Sequence, residues 1–417
     1  MSAYTVFLIL SFCSRFFYSV IFTVDLVYHV TTVGLDPLQL VLVGTALEVT
    51  AFICEIPTGV VADVKSRRLS VIIGFILVGI GFVIEGFFPY FMAILIAQLV
   101  WGLGTTFTSG ATQAWIADEI DSKEVSKAFI RGSQVGKIGD LVGIPVSVAL
   151  ASLFIQLPIV LGGILMILLG IFLIAFMPEA GFKPAPRGNR THWVSMWGTI
   201  KDARQMIGRQ PVLIIILIIG LFYGLYSEGV DRLWQAHLIH NFDFPSLGTL
   251  KPIVWFGIIR TGILIFTIVG TEISRRTVDT RGSKPIALTL MLCSGIMISA
   301  LVGFALTGLF WWAILFFWGF GTARGIVSPF YEIWLNQRID DPAVRATMFS
   351  VSGQADALGQ ICGGPGVGAI GKMISIRAAL LTSAFCFIAF PLSRPDGKQS
   401  RRRKDRSPHH FHSSNTV

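Results

Sequence analysis

The sequence predicts an all-α membrane protein of twelve spanning helices, arranged as two parallel six-helix repeats. Three observations predict it. Hydrophobic residues make up 53% of the 417 residues, charged residues only 14%, and the mean hydropathy is +0.71, whereas a soluble domain carries about 25% charged residues. Most of the chain falls into apolar runs of roughly 20 residues, the length that crosses a ~30 Å hydrocarbon layer at about 1.5 Å per residue. Lysine and arginine crowd into every second connection between the runs, as a chain threading back and forth through a membrane requires. Lipid offers no hydrogen-bond partner to the backbone, so the runs are helices rather than strands.

The spans are expected at 5–28, 38–61, 69–88, 90–115, 132–155, 158–177, 211–236, 252–273, 285–306, 311–334, 347–370 and 375–392, the last of them short. The first run is a span and not a cleavable signal, because Met1–Tyr4 has no basic residue and the apolar run continues past any cleavage site. One set of connections carries Lys65, Arg67 and Arg68, then Lys123, Lys127 and Arg131, then a basic stretch from Lys183 to Arg209. The same set continues with Arg275, Arg276, Arg281 and Lys284, with Arg338 and Arg345, and with the carboxyl tail. The alternate set holds only Lys251, Lys372 and Arg377. The basic set, and with it both termini, is therefore expected in the cytoplasm. The net charge of +9 is a consequence of topology. The tail Arg401–Arg406 is suited to anionic lipid headgroups rather than to nucleic acid. The cysteines Cys13, Cys54, Cys293, Cys362 and Cys386 lie in apolar runs without metal-ligand spacing and read as buried small hydrophobes.

The chain repeats itself. Trp101-Gly-Leu-Gly-Thr105 matches Trp318-Gly-Phe-Gly-Thr322, and Trp115 and Ile120-Asp121 match Trp334 and Ile339-Asp340. Gln134, Gly139, Gly143 and Pro145 match Gln354, Gly359, Gly363 and Pro365. Spans 4–5 thus recur as spans 10–11 in the same orientation. The implied organisation is an amino-terminal bundle over 1–177, a linker over 178–210, a second bundle over 211–392 and a basic tail over 393–417. The linker opens with Pro178, Gly181, Pro184 and Pro186, and Trp193, Trp197, Ile200 and Ile207 then share the face of a short interfacial helix.

The stretch Gly59-Val-Val-Ala-Asp63-Val-Lys-Ser-Arg67-Arg68 lies between spans 2 and 3. It resembles the loop between helices 2 and 3 of the major facilitator superfamily of secondary transporters. The resemblance implies a conformational latch at Gly59, Asp63, Arg67 and Arg68, whose contacts form in one access state and break in the other. The glycine would permit close helix contact and the carboxylate would pair with arginines. Val64 and Ser66 depart from the family's usual basic residue and glycine. Gly139, Gly143 and Pro145, and more closely Gly363, Gly364 and Pro365, resemble the glycine–proline pattern of helix 5 in the superfamily's antiporters. Glycines at this spacing let backbones pack tightly, and the prolines supply a bend. Gln98 stands where many proton-linked exporters of the superfamily carry an arginine. The flavour of Glu55–Asp63 and of Ser109–Trp115 is most similar to bacterial macrolide- and tetracycline-type efflux members. The resemblance implies a monomer in the cell membrane that uses no cofactor, acts on a small-molecule substrate and exchanges it for protons.

Intramembrane charges carry the remaining signal, because each is costly unless paired or in a wet cavity. Glu48, Glu228 and Asp356, with Asp140 behind them, are the expected proton-coupling carboxylates; Arg15, Arg260 and Arg324 are their counter-charges. Depth arithmetic sets Arg15 level with Glu48 near the midplane and suggests Arg324 with Asp356 in the second half. Lys137 and Asp140, three apart on one helix, are spaced to satisfy each other. Asp25, Glu85, Asp231, Arg232 and Glu332 fall near span ends, within expected reach of water. Phosphate loops, nucleophile elbows and His/Cys ligand clusters are not found, and His409, His410 and His412 lie in the tail. The leading expectation is a proton-coupled efflux antiporter for small amphipathic compounds. The alternatives are an uptake symporter for a metabolite and a non-transporting receptor on the same fold.

Overall fold

The computed structural model describes residues 1–184, 211–338 and 342–388. The expected interfacial helix at Trp193–Ile207, the pair Ile339-Asp340 and the basic tail lie outside the described residues. Twelve long helices follow one another. They are α1 (Ala3–Phe22), α2 (Pro37–Val64), α3 (Arg67–Phe87), α4 (Phe91–Thr108), α5 (Ser122–Leu153) and α6 (Leu157–Phe176). The second group is α7 (Pro211–Asn241), α8 (Val254–Thr277), α9 (Ser283–Leu306), α10 (Phe310–Arg338), α11 (Pro342–Met373) and α12 (Ile376–Ile388). Among the described residues nine stretches are long and apolar enough to cross a membrane.

Local chemistry sets the ends. Asp36 accepts from the Gln39 amide while the Gln39 side chain accepts from the Asp36 amide, a reciprocal cap with Pro37 in the first turn of α2. Ser66 Oγ accepts from the Leu69 amide at 2.9 Å and opens α3. Two spans are longer than hydropathy suggests. α1 continues through a short helix, Asp25–Tyr28, into a π-turn, His29–Val33, that ends at Gly34 with φ +73°. α5 starts at Ser122, ten residues before its expected boundary, because the polar turns outside the apolar run keep helical geometry under the Asp121 cap.

The repeat is visible in the packing. α1 packs on α5 as α7 packs on α11; α3 packs on α4 and α6 as α9 packs on α10 and α12. The α1–α5 seam is made by Gly139 and Gly143, whose missing side chains leave room for the Phe12 and Phe16 carbonyls and for Ser19. Gly359 and Gly363 do the same against Leu221 and Leu225 of α7. Helix continues through Pro145 and Pro365.

The halves meet where α2 packs on α11 and α7, and where α5 packs on α8. We call the side bearing the start of α1 and the α2–α3 loop the amino face, and the side bearing the α1–α2 loop the far face. Gly364 and Gly368 of α11 lie against Val41 of α2, Gly371 lies against Pro37, and Gly257 of α8 lies against Val148 of α5. These contacts all lie in the far half of the molecule. At its edge Lys372 Nζ reaches Asp36 Oδ2 at 2.9 Å, an ion pair between the halves. Burial acts first on the Asp36 carboxyl, against ionisation. The hydrogen bonds from Lys372 and from the Gln39 and Leu38 amides, with the lysine's charge, outweigh it and hold the carboxyl below its usual range.

The five cysteines are not uniformly buried as expected: Cys293 is, Cys13, Cys54 and Cys386 are half-buried, and Cys362 is exposed. Outward faces of spanning helices are apolar and open to lipid, so an apolar run does not imply burial inside the protein.

Candidate functional site: a cavity between charged walls

A cavity of about 520 Å³ opens in the amino-face half of the first bundle, between α1, α3, α4 and α5. Phe7, Phe75 and Phe129 supply apolar surface, and Arg15 and Lys137 supply charge. Arg15 donates through Nε (3.0 Å) and Nη2 (2.7 Å) to Asp140 Oδ2. The expected Arg15–Glu48 pair is not formed. The α1–α5 glycine seam turns Arg15 toward α5, with Gly136 against its stem. Asp140 is thereby engaged by Arg15 rather than by Lys137. Lys137 is exposed to the cavity and makes no ion pair among the described residues. Arg260 of α8 sits half-buried within electrostatic reach of Asp140 and Arg15.

A second charged wall lies where α2, α7, α10 and α11 converge. Glu228, 1% exposed, accepts from Arg232 Nε at 3.1 Å one turn along α7. Both press on Gly44 of α2, where any side chain would overlap the Glu228 carboxylate and the Arg232 guanidinium. Glu48, one turn further along α2, is within electrostatic reach of Glu228, Arg232 and Asp356, and makes no ion pair among the described residues. Arg324 of α10 binds both carboxylate oxygens of Asp231, 2.8 Å from Nη2 to Oδ2, and lies 5.8 Å from the Tyr223 ring centre. That replaces the expected Arg324–Asp356 pair. Asp356 instead accepts from Gln360 Nε2 at 3.0 Å, and its Oδ1 is buried without a hydrogen-bond partner among the described residues. Asp231 of α7 is the carboxylate within reach of the Arg324 guanidinium, while Asp356 is held by Gln360 one turn along its own helix.

The loop motif is placed at the amino face. Arg67 pairs with Asp118 and donates to the Ala114 carbonyl at 2.9 Å, and Asp63 lies 3.7 Å from it. Glu179, after α6, accepts from Ser66 Oγ (2.6 Å) and from the Arg68 amide (2.9 Å). These bonds stay within the first half. Nothing lies within 4 Å of where a Gly59 side chain would begin, and Asp63 is exposed, so the close helix contact expected at Gly59 is not made in this conformation.

Sequence reasoning missed a buried polar group at the far end of the first bundle. His29 Nε2 lies 2.7 Å from Glu85 Oε1 and 3.7 Å from Asp25 Oδ1, and Gln98 donates to Glu85 Oε2 at 3.1 Å. Asp25 and Glu85 are 4% and 0% exposed, not washed by water as expected. Extension of α1 through the π-turn to Val33 carries Asp25 below the surface. Gln98 gives the Glu85 carboxylate a hydrogen bond but no positive charge.

Two helical bundles joined at the far face, with a cavity lined by aromatic rings and charges in the amino-face half of the first, have the architecture of a polytopic membrane transporter. The Major Facilitator Superfamily profile matches residues 7–340, and the chain belongs to that family. It is 24% identical over 363 residues to YxaM of Bacillus subtilis, an uncharacterized MFS-type transporter, covering 86% of each chain. In structure it is similar to a variant of the nucleoside transporter NupG, with a TM-score of 0.76 at 17% identity, covering 93% of this chain and 98% of that one. It is similar also to the human organic anion transporter MFSD10, with a TM-score of 0.63 at 15% identity, over 94% and 98% of the two chains. The chain is therefore a multi-pass membrane transporter of a small-molecule substrate, and not an enzyme.

Proposed function

We propose that the protein is a proton-coupled efflux antiporter for small amphipathic compounds, working by alternating access as a monomer in the cell membrane. The basic connections put the amino face and both termini in the cytoplasm. Closure at the far face then corresponds to an inward-open state that accepts substrate from the cell. Its units are the bundles 1–177 and 211–392, joined by 178–210 and followed by the tail 393–417. The observation that carries the coupling is Glu48, a carboxylate inside a span, at the seam between the halves and without an ion pair among the described residues. A carboxylate so placed costs least when it carries a proton, and it loses that proton most readily when its side of the seam opens to water. Glu228 and Asp356 share the seam with it, and Asp140 answers to the substrate side. Gly59, Asp63, Arg67 and Arg68 would close on the second half in the outward-open state. The Phe7, Phe75 and Phe129 rings in the cavity that Arg15 and Lys137 also line suit a compound that is apolar at one end. The resemblance to macrolide- and tetracycline-type members supports export rather than uptake.

Vesicles decide the direction. Everted vesicles acidified inside should accumulate the substrate, and neutralising Glu48 or Glu228 should flatten the pH dependence of that uptake. Accumulation confined to right-side-out vesicles, or an unchanged pH profile in both variants, contradicts the proposal.

A further inference from the structure

We propose that the wall of the cavity bearing Arg15 and Lys137 binds the anionic group of the substrate, so that the transported compounds are amphipathic organic anions. The inference rests on the transporter reading and adds the sign of the cargo. Arg15 of α1 holds Asp140 with two hydrogen bonds, and Arg260 of α8 lies within electrostatic reach of the same carboxylate. Lys137 therefore stands inside a span with no anion among the described residues. An uncompensated ammonium at that depth is tolerated in a wet cavity and marks a functional position.

Its neighbours fit the same ligand. Ser133 and Gln113 line the cavity and make no hydrogen bond among the described residues, leaving donors free for a carboxylate, sulfonate or phosphate. Phe7, Phe75 and Phe129 offer surface to an apolar body, and about 520 Å³ lies within the range of small-ligand pockets. The competing attraction, for an organic cation, would have to come from the other wall. There Glu228 and Asp231 are each occupied by an arginine. Glu48 and Asp356 remain at the α2–α11 seam, apart from the aromatic lining. Export of an anion also runs with an inside-negative membrane potential.

The test is a binding measurement on the full chain in nanodiscs, by titration calorimetry, with 1-naphthylacetate and 1-naphthylmethylammonium as matched probes. The anion should bind saturably and more tightly than the ammonium. Lys137→Gln should weaken anion binding about tenfold or more, the loss of one charge-assisted contact, while Lys137→Arg retains it. Each variant is used only as a monodisperse nanodisc preparation. Equal or tighter binding of the ammonium, no saturable binding of the anion, or wild-type affinity in Lys137→Gln overturns the assignment. The titration needs no ion gradient, so a failure of proton-coupled export leaves this readout intact, and the reverse also holds.

Discussion

The Glu228–Arg232 pair offers the sharpest energetic prediction. Its atoms are 3.1 Å apart, with side chains 2% and 15% exposed, and both groups press against Gly44 in the other half. At an effective dielectric of about 20, unit charges at this distance attract by about 5 kcal/mol, part of which offsets their desolvation. Removing one partner leaves the other buried and uncompensated, a loss of about 3–5 kcal/mol. Asp231 next to Arg232 recovers some of that for Glu228→Gln. Arg232→Met, which strands Glu228, should be the more damaging change. The double variant removes both charges and should be less destabilised than the sum of the two. Unfolding of each variant in detergent, closed into a double-mutant cycle, should give a coupling of about 3 kcal/mol, near two orders of magnitude in the folding constant. A coupling under about 0.5 kcal/mol would refute the view that this pair is one buried, mutually compensated unit on α7.

Further outcomes test the two faces. Gly59→Val places a side chain where this conformation has open space, so melting should change little, about 0.5 kcal/mol or less, while transport is lost because the closed amino face cannot form; Asp63→Asn should behave alike, and normal turnover in both would remove the latch. At the far face the depressed Asp36 carboxyl sets the sign of pH dependence. Its contribution is present above the ordinary carboxylate pKa and lost as pH falls through its own lower value. Spin-label distances between Thr32→Cys and Ile374→Cys should therefore stay constant from about pH 8 to 5 and lengthen only below about 4. Lys372→Ala should weaken closure by no more than about 1 kcal/mol, because that side chain is 52% exposed; far-face opening already at pH 6 would contradict the assignment.

Twelve spans and their repeat were legible in the sequence because each span must satisfy its own backbone and repel water along its length. Helix ends were not, since α5 and α1 continue through polar or π-turn segments that hydropathy does not register. The depths of the charges could be read, but not their directions. Arg15 and Asp140 are 125 residues apart and meet because glycines at 136, 139 and 143 bring α1 onto α5. Glu228 and Arg232 carry a readable i,i+4 spacing, yet hydropathy ends the span near 236 and sets Arg232 at its edge, whereas α7 runs on to Asn241. His29 gave no signal as a lone histidine; Asp25 stands four residues before it, but Glu85, the carboxylate nearest its ring, arrives from α3.

The central claim is that the two faces open in alternation around one cavity. Pulsed electron–electron resonance on two doubly labelled chains tests it directly, with Thr32→Cys and Ile374→Cys reporting the far face and Lys65→Cys and Gln337→Cys the amino face. When substrate shifts the population at constant pH, the amino-face distance should shorten as the far-face distance lengthens. Both distances moving in the same sense, or neither moving while transport proceeds, would contradict the account.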